Sequence, residues 1–320
     1  MKNIYISSCD KNGGIYRYNI QNGKLIFKEK TDIDIPMYTV FHNGKLWTLR
    51  REVDKETHFG GLLSFDVSDD GSLSNPSNVI STNGICPCHL TATDNDVYYV
   101  NYLSGNIASM NGKLDTHNGV GVNLPRQDMP HTHYVNVSPD NKYLLSCDLG
   151  LDSIFVYDFN LNVKSIAKVP EGDGARHLAY SSDGKYVYCV NELKSTVSVF
   201  SYNNGALELK NTYSCIENTT KNNTAAAIRT KGDYLFVSNR GEDTIVCFKM
   251  NADKLSFISR TSVGGSSPRD FDFCDNYLIC TNETTNNITV FLNDNGTLIK
   301  TDEIKNIANP LCVTVIGENI

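Results

Sequence analysis

The chain has 320 residues, with 29 Lys and Arg against 36 Asp and Glu, so its formal charge is −7. A charged fraction of 20%, an apolar fraction of 40%, and 17 Tyr with 13 Phe describe a globular protein and exclude a disordered one. The acidic balance without a Lys/Arg run argues against nucleic acid as a partner, and no apolar stretch approaches the ~18 residues of a membrane span.

The first residues, Asn3-Ile4-Tyr5-Ile6, enter an alternating strand pattern directly and lack the apolar core of a signal peptide. One cassette then recurs: an alternating apolar run ending in Asn or Asp, a short polar turn, and a second alternating run. The second runs are Gly14-Ile15-Tyr16, Gly61-Leu62-Leu63, Asn106-Ile107-Ala108 and Ser153-Ile154-Phe155, then Thr196-Val197-Ser198, Thr244-Ile245-Val246 and Asn287-Ile288-Thr289. Their first apolar residues fall at 15, 62, 107, 154, 197, 245 and 288, which are steps of 43 to 48 residues that fill the chain with seven copies.

The fifth copy shows the plan. Strands are predicted at 176–180, 186–191, 196–202 and 207–213, separated by Ser182-Asp183-Gly184, Glu192-Leu193-Lys194-Ser195 and Asn203-Asn204-Gly205. No twelve-residue window keeps a helical period, so helices should be nearly absent. Four strands repeating at this length are the signature of a propeller blade. A single Trp and no Trp-Asp endings exclude the WD type. The chain opens on what should be a second strand, Asn3–Ser8, and closes on an orphan first strand at 311–317. The predicted fold is therefore all-β: a seven-bladed β-propeller, 1–320 as one domain, with its ring closed by pairing the C-terminal strand with the N-terminal strands.

Ten cysteines sit mostly in apolar runs such as Tyr188-Cys189-Val190, with no Cys-x-x-Cys pair. That usage predicts reduced thiols and a cytoplasmic protein. Cys86-Pro87-Cys88-His89 could be read as metal ligands, but no second ligand cluster follows at zinc-like spacing, so neither metal nor cofactor is expected. Asn218-Thr219-Thr220 fits a glycosylation acceptor but carries no weight without a secretory signal.

In an antiparallel blade the start of strand one and the end of strand two meet at the same face. The strand-one starts hold His89, His131, His133, Arg176, His177 and Arg269. The strand-two ends hold Arg50, Arg51, Tyr102, Asp148, Glu192, Arg240 and Glu283. An acidic protein thus gathers Arg and His around one mouth of its channel, a funnel for a small anion. Few ionisable residues are expected elsewhere on these strands. The bland readings are a structural Arg176 holding carbonyls, a surface ion pair at Glu192, and turn caps at Asp148 and Asn101.

Several motifs, each one blade apart, resemble the seven-bladed lactonase family of bacterial 6-phosphogluconolactonases and fungal carboxy-muconate lactonizing enzymes. They are Asn101-Tyr102-Leu103-Ser104-Gly105, His131-Thr132-His133, Asp148-Leu149-Gly150, Gly174-Ala175-Arg176-His177, Asn191-Glu192-Leu193, Ser238-Asn239-Arg240 and Pro268-Arg269-Asp270. The resemblance implies a catalytic set at His133 (His131 being the alternative), Arg176, Glu192 and Arg240. It implies substrate contacts among His131, His177, Arg269, Asp148, Asn101 and His89. Ala175 departs from the family's Pro, and the first two blades match poorly. The implied activity is opening of a sugar lactone by His-activated water, with a guanidinium on the oxyanion and a small anionic substrate as partner. A carboxy-muconate-type cycloisomerase and a non-enzymatic binding platform are the alternatives.

Overall fold

The computed structural model describes residues 2–217 and 222–317, so Asn218-Thr219-Thr220 lies outside the described residues. Among the described residues there are strands and turns and no helix. The strands form seven antiparallel sheets around a central axis.

Blade one is assembled from both ends of the chain: Pro310–Ile316 innermost, then Asn3–Ser8, Gly14–Gln21 and Lys24–Thr31. Asn3 pairs with Ile316 and Ser7 with Cys312, so the last strand of the chain closes the ring on the first. This closure removes the free sheet edges an open array would expose. Blade five matches the predicted strands closely, at Ala175–Tyr180, Tyr186–Asn191, Thr196–Asn203 and Ala206–Ser214.

Two blades depart from the four-strand plan. Blade two splits its outer edge between Leu73–Ser74 and Ile80–Ile85, giving five strands. In blade three the outermost strand shrinks to Leu114–Thr116, and residues 117–131 form an extended connection to blade four.

The middle strands are buried on both faces because each sheet is packed between two others, and their sequences are correspondingly apolar throughout. Tyr134, Leu145 and Cys147 of blade four pack on Leu178, Val187 and Cys189 of blade five in this way. The outer strands face solvent and carry charge, as in Lys24-Leu25-Ile26-Phe27-Lys28-Glu29-Lys30, which discourages edge-to-edge pairing. All ten cysteines are free, and eight are buried.

One irregularity repeats in every blade. The innermost strand carries a β-bulge just after its first residue, or after its second in blade six. Thr132 pairs with Asp148 and Tyr134 with Cys147, leaving His133 as the extra residue. The same shift leaves Arg176 between Ala175 and His177, and Arg269 between Pro268 and Asp270. A bulge breaks the alternation of side chains and re-aims the residue it carries.

Candidate active site

The bulges build the site. Going around the axis, the extra residues include Leu311, Met37, Cys88, His133, Arg176 and Arg269, and all six line the axial space just below one mouth. Ala226 occupies the corresponding place in blade six, where its carbonyl receives the Arg176 Nη1–H at 2.7 Å. The ring therefore has a cationic and imidazole arc facing an apolar one. Above it opens a cavity of about 360 Å³ whose wall includes Met37, Cys88, His133 and Arg269. The strand-two ends contribute Arg51, Tyr102, Glu192 and Arg240 to the same wall.

Glu192 organises the charges. Its Oε2 accepts from Arg176 Nε at 2.8 Å and pairs with Arg240 Nη2 at 2.9 Å, while Oε1 accepts from Arg126 Nη2 at 2.7 Å. Burial works against the ionised carboxyl, but Arg240 and Arg176 more than offset it and hold its pKa well below the usual range. Arg176 is fully buried, and burial with the Arg240 charge lowers its pKa to about 9, so it stays cationic at neutral pH. This pair is no surface decoration: both partners are nearly inaccessible.

Not all guanidinium capacity is consumed. Arg240 Nε is buried with no partner among the described residues. Arg269 reaches Glu283 only at 3.5 Å. Arg51 lines the cavity and is exposed. Five guanidinium groups thus stand around the space against the carboxylates of Glu192 and Glu283.

The His133 imidazole lines the same cavity, edge-on to the Tyr102 ring at 5.5 Å and to His177 at 5.1 Å. Its Nδ1 is buried and unpartnered among the described residues. Burial and the neighbouring Arg176 push its pKa well below the ordinary value, so the ring is neutral and can take up a proton.

His133, Arg176, Glu192, Arg240 and Arg269 are therefore brought together. His177 joins them in the axial space, its Nε2 3.3 Å from Arg176 Nη1, whereas the other expected contacts stand apart from the cavity lining. His131 stacks on Tyr102 at 4.4 Å, and its Nδ1 meets the Tyr102 carbonyl at 3.0 Å, outside the cavity lining. Asp148 is fully buried, its Oδ1 accepting from His131 N and Leu151 N and its Oδ2 facing His117 Nδ1 at 2.6 Å. Asn101 donates to the Thr82 carbonyl and to Asn106. Both are structural ties: Asp148 caps its own turn through Leu151 N, while Asn101 bridges to a neighbouring segment and to Asn106 instead of capping its own turn. His89 lies beyond this space, its ring 5.1 Å from that of His177.

Arg126 is the residue the sequence pattern missed. It sits on the 117–131 connection, outside the repeating cassette, and reaches both Glu192 and the Tyr102 hydroxyl, the latter at 3.3 Å. Cys86, also in the wall, has φ of 58°, in the left-handed region that non-glycine residues rarely adopt. Among the described residues no three His, Cys, Asp or Glu side chains converge as metal ligands would.

Known proteins share this architecture over its full length. An uncharacterized protein of Staphylococcus aureus (strain USA300) is 30% identical over 344 aligned residues, covering 98% of this chain and 99% of its own. A solved structure from Lactobacillus plantarum superposes with a TM-score of 0.88 at 28% identity, over 99% of this chain and 100% of that one. A candidate 6-phosphogluconolactonase of Bacteroides fragilis does so at 0.88 and 26%, over 99% and 98%. The family model for the seven-bladed β-propeller lactonases matches residues 3–315. With that match spanning nearly every blade, the chain belongs to the seven-bladed β-propeller lactonase family.

Proposed function

We propose that the protein is a lactone hydrolase that opens a sugar lactone bearing an anionic group, with 6-phosphogluconolactone as the first substrate to test. The observation that carries this reading is the neutral His133 beside an excess of preorganised guanidinium groups in one cavity. His133 takes a proton from water as the oxygen attacks the lactone carbonyl. The developing oxyanion lies against Arg240 or Arg269, which keep donor capacity outside the Glu192 cluster. The protonated imidazole then returns the proton to the departing ring oxygen, so no net charge accumulates. Glu192 touches no reacting atom in this scheme and fixes three guanidinium groups in place.

The remaining cationic groups suit the substrate's phosphate or carboxylate. Free thiols throughout support a reducing, cytoplasmic setting. A binding platform without chemistry would leave the rim residues dispersed or locked in mutual pairs with no opening, and the open cavity speaks against it.

The test follows acid release from 6-phosphogluconolactone above its spontaneous rate, with a carboxy-muconate arm run in parallel. His133→Ala and Arg240→Ala should each lose more than about tenfold in kcat/KM, with the Arg240 loss reaching ~3 kcal/mol of transition-state stabilisation if it holds the oxyanion. Full turnover in both variants removes the assignment.

A further inference from the structure

The axial channel has a second mouth. The innermost strands all run away from the arginine-rich face, and their far halves enclose a cavity of about 490 Å³. Its wall holds Tyr38, Tyr134, Tyr180, Asn136, Arg229 and Asp272. The ionisable members run against the expectation that charge on these strands is confined to one rim. His89 separates the two regions, its ring 4.1 Å from Tyr38 and 4.4 Å from Tyr134 on this side and 5.1 Å from His177 on the other.

This end is built rather than merely open. Arg229 Nη2 donates to Asp270 Oδ1 at 3.0 Å and to the Tyr38 hydroxyl at 3.4 Å, and Nη1 donates to the Ile228 carbonyl at 2.9 Å. Asp270 Oδ2 accepts from Val313 N at 3.1 Å, tying the pair to the closing strand of the ring. Asn136 Oδ1 accepts from the Thr91 hydroxyl at 2.9 Å. The Tyr180 hydroxyl is buried in this wall beside the Tyr134 phenol, with no hydrogen bond of good geometry among the described residues. A buried polar atom without a good hydrogen bond is costly in an evolved fold and points to something that satisfies it.

The charges decide what that is. Arg229 is already matched by Asp270, so an anion gains little there and meets Asp272 as well. A cation meets Arg229. What the wall still offers is phenol, amide and carboxyl hydrogen bonding between aromatic faces, in a volume within the usual ~300–1,000 Å³ of small-molecule sites. Burial pushes the Asp272 carboxyl up to about 6, which lets it act as donor or acceptor near neutrality. We propose that this second mouth is a binding site for an uncharged polyhydroxylated molecule of monosaccharide size, distinct from the lactone site and independent of its chemistry.

Saturation-transfer NMR and thermal shift on the full chain, with D-glucose, D-galactose and D-xylose as probes and phosphate and glycine as charged controls, test it. At least one sugar should bind. Tyr180→Phe, which deletes only that hydroxyl, should weaken it about fivefold, the equivalent of ~1 kcal/mol. Asp272→Asn should also weaken binding, and lactone opening should be unchanged in both variants. The proposal is overturned if no sugar binds, if binding is the same in both variants, or if only the charged controls respond. Because lactone opening is read separately, failure here leaves the hydrolase reading untouched, and the reverse holds too.

Discussion

At the scale of single residues, the site depends on one carboxylate. Glu192 pairs with Arg176, Arg126 and Arg240 together, and two of those three are buried or nearly so. Removing one member of a buried ionic cluster leaves the others charged and unsolvated, which typically costs 3–5 kcal/mol. Glu192→Gln keeps the shape and removes the charge. It is expected to lose roughly that much stability in urea unfolding, and saturating phosphate should raise its midpoint more than that of the unmodified protein, because the anion replaces the missing charge. A midpoint within experimental error of the parent would mean that the three guanidinium groups are solvated in practice. The neutral state of His133 belongs to the same scale. Because its pKa is lowered, the base stays deprotonated below pH 6.5, and kcat/KM should hold level through that value rather than halve there.

At the scale of the strand, the bulge explains what could and could not be read in advance. The repeat spacing, the blade boundaries and the ring closure follow from alternation and turn residues, all visible in sequence. Alternation also puts His131 and His133 on the same side of one strand, so it cannot choose between them. The bulge chooses: with His133 as the extra residue, His131 is turned onto Tyr102 and only His133 meets the cavity. A register change of one residue reverses every later side chain, and no single-residue property announces it. Arg126 escaped because it lies on an insertion with no counterpart in other blades. The entries to these strands also carry strain. Ile35, directly before Pro36, has φ of 44°, where a β-branched residue is disfavoured by ~1–2 kcal/mol. Asn tolerates that region, so Ile35→Asn should raise the urea midpoint with an unchanged slope. A lowered midpoint would show that the half-buried Ile35 side chain contributes more than its backbone costs.

At the scale of the whole molecule, the channel couples function to acid stability. His89, His133 and His177 form a column along the axis, their rings 5.1 Å apart in sequence, and burial together with nearby arginines holds all three pKa values well below normal. The unfolded chain, with ordinary imidazoles near pH 6.5, binds protons that the folded protein refuses. Stability is therefore fully present above about pH 6.5 and is lost as the pH falls below it, by up to ~1.4 kcal/mol per pH unit for each histidine. Asp272 acts in the opposite sense: its folded pKa of about 6 lies above the unfolded value, so folding gains from protonation as the pH drops through 6. One carboxyl offsets at most one imidazole, and the histidines should prevail. Urea midpoints at pH 7.5 and 5.5 should show the protein weaker in acid, with the difference reduced in His89→Gln, which lies away from the proposed base. Equal midpoints would mean that the column takes up protons in the folded state, and a neutral His133 could no longer be the starting point of the mechanism.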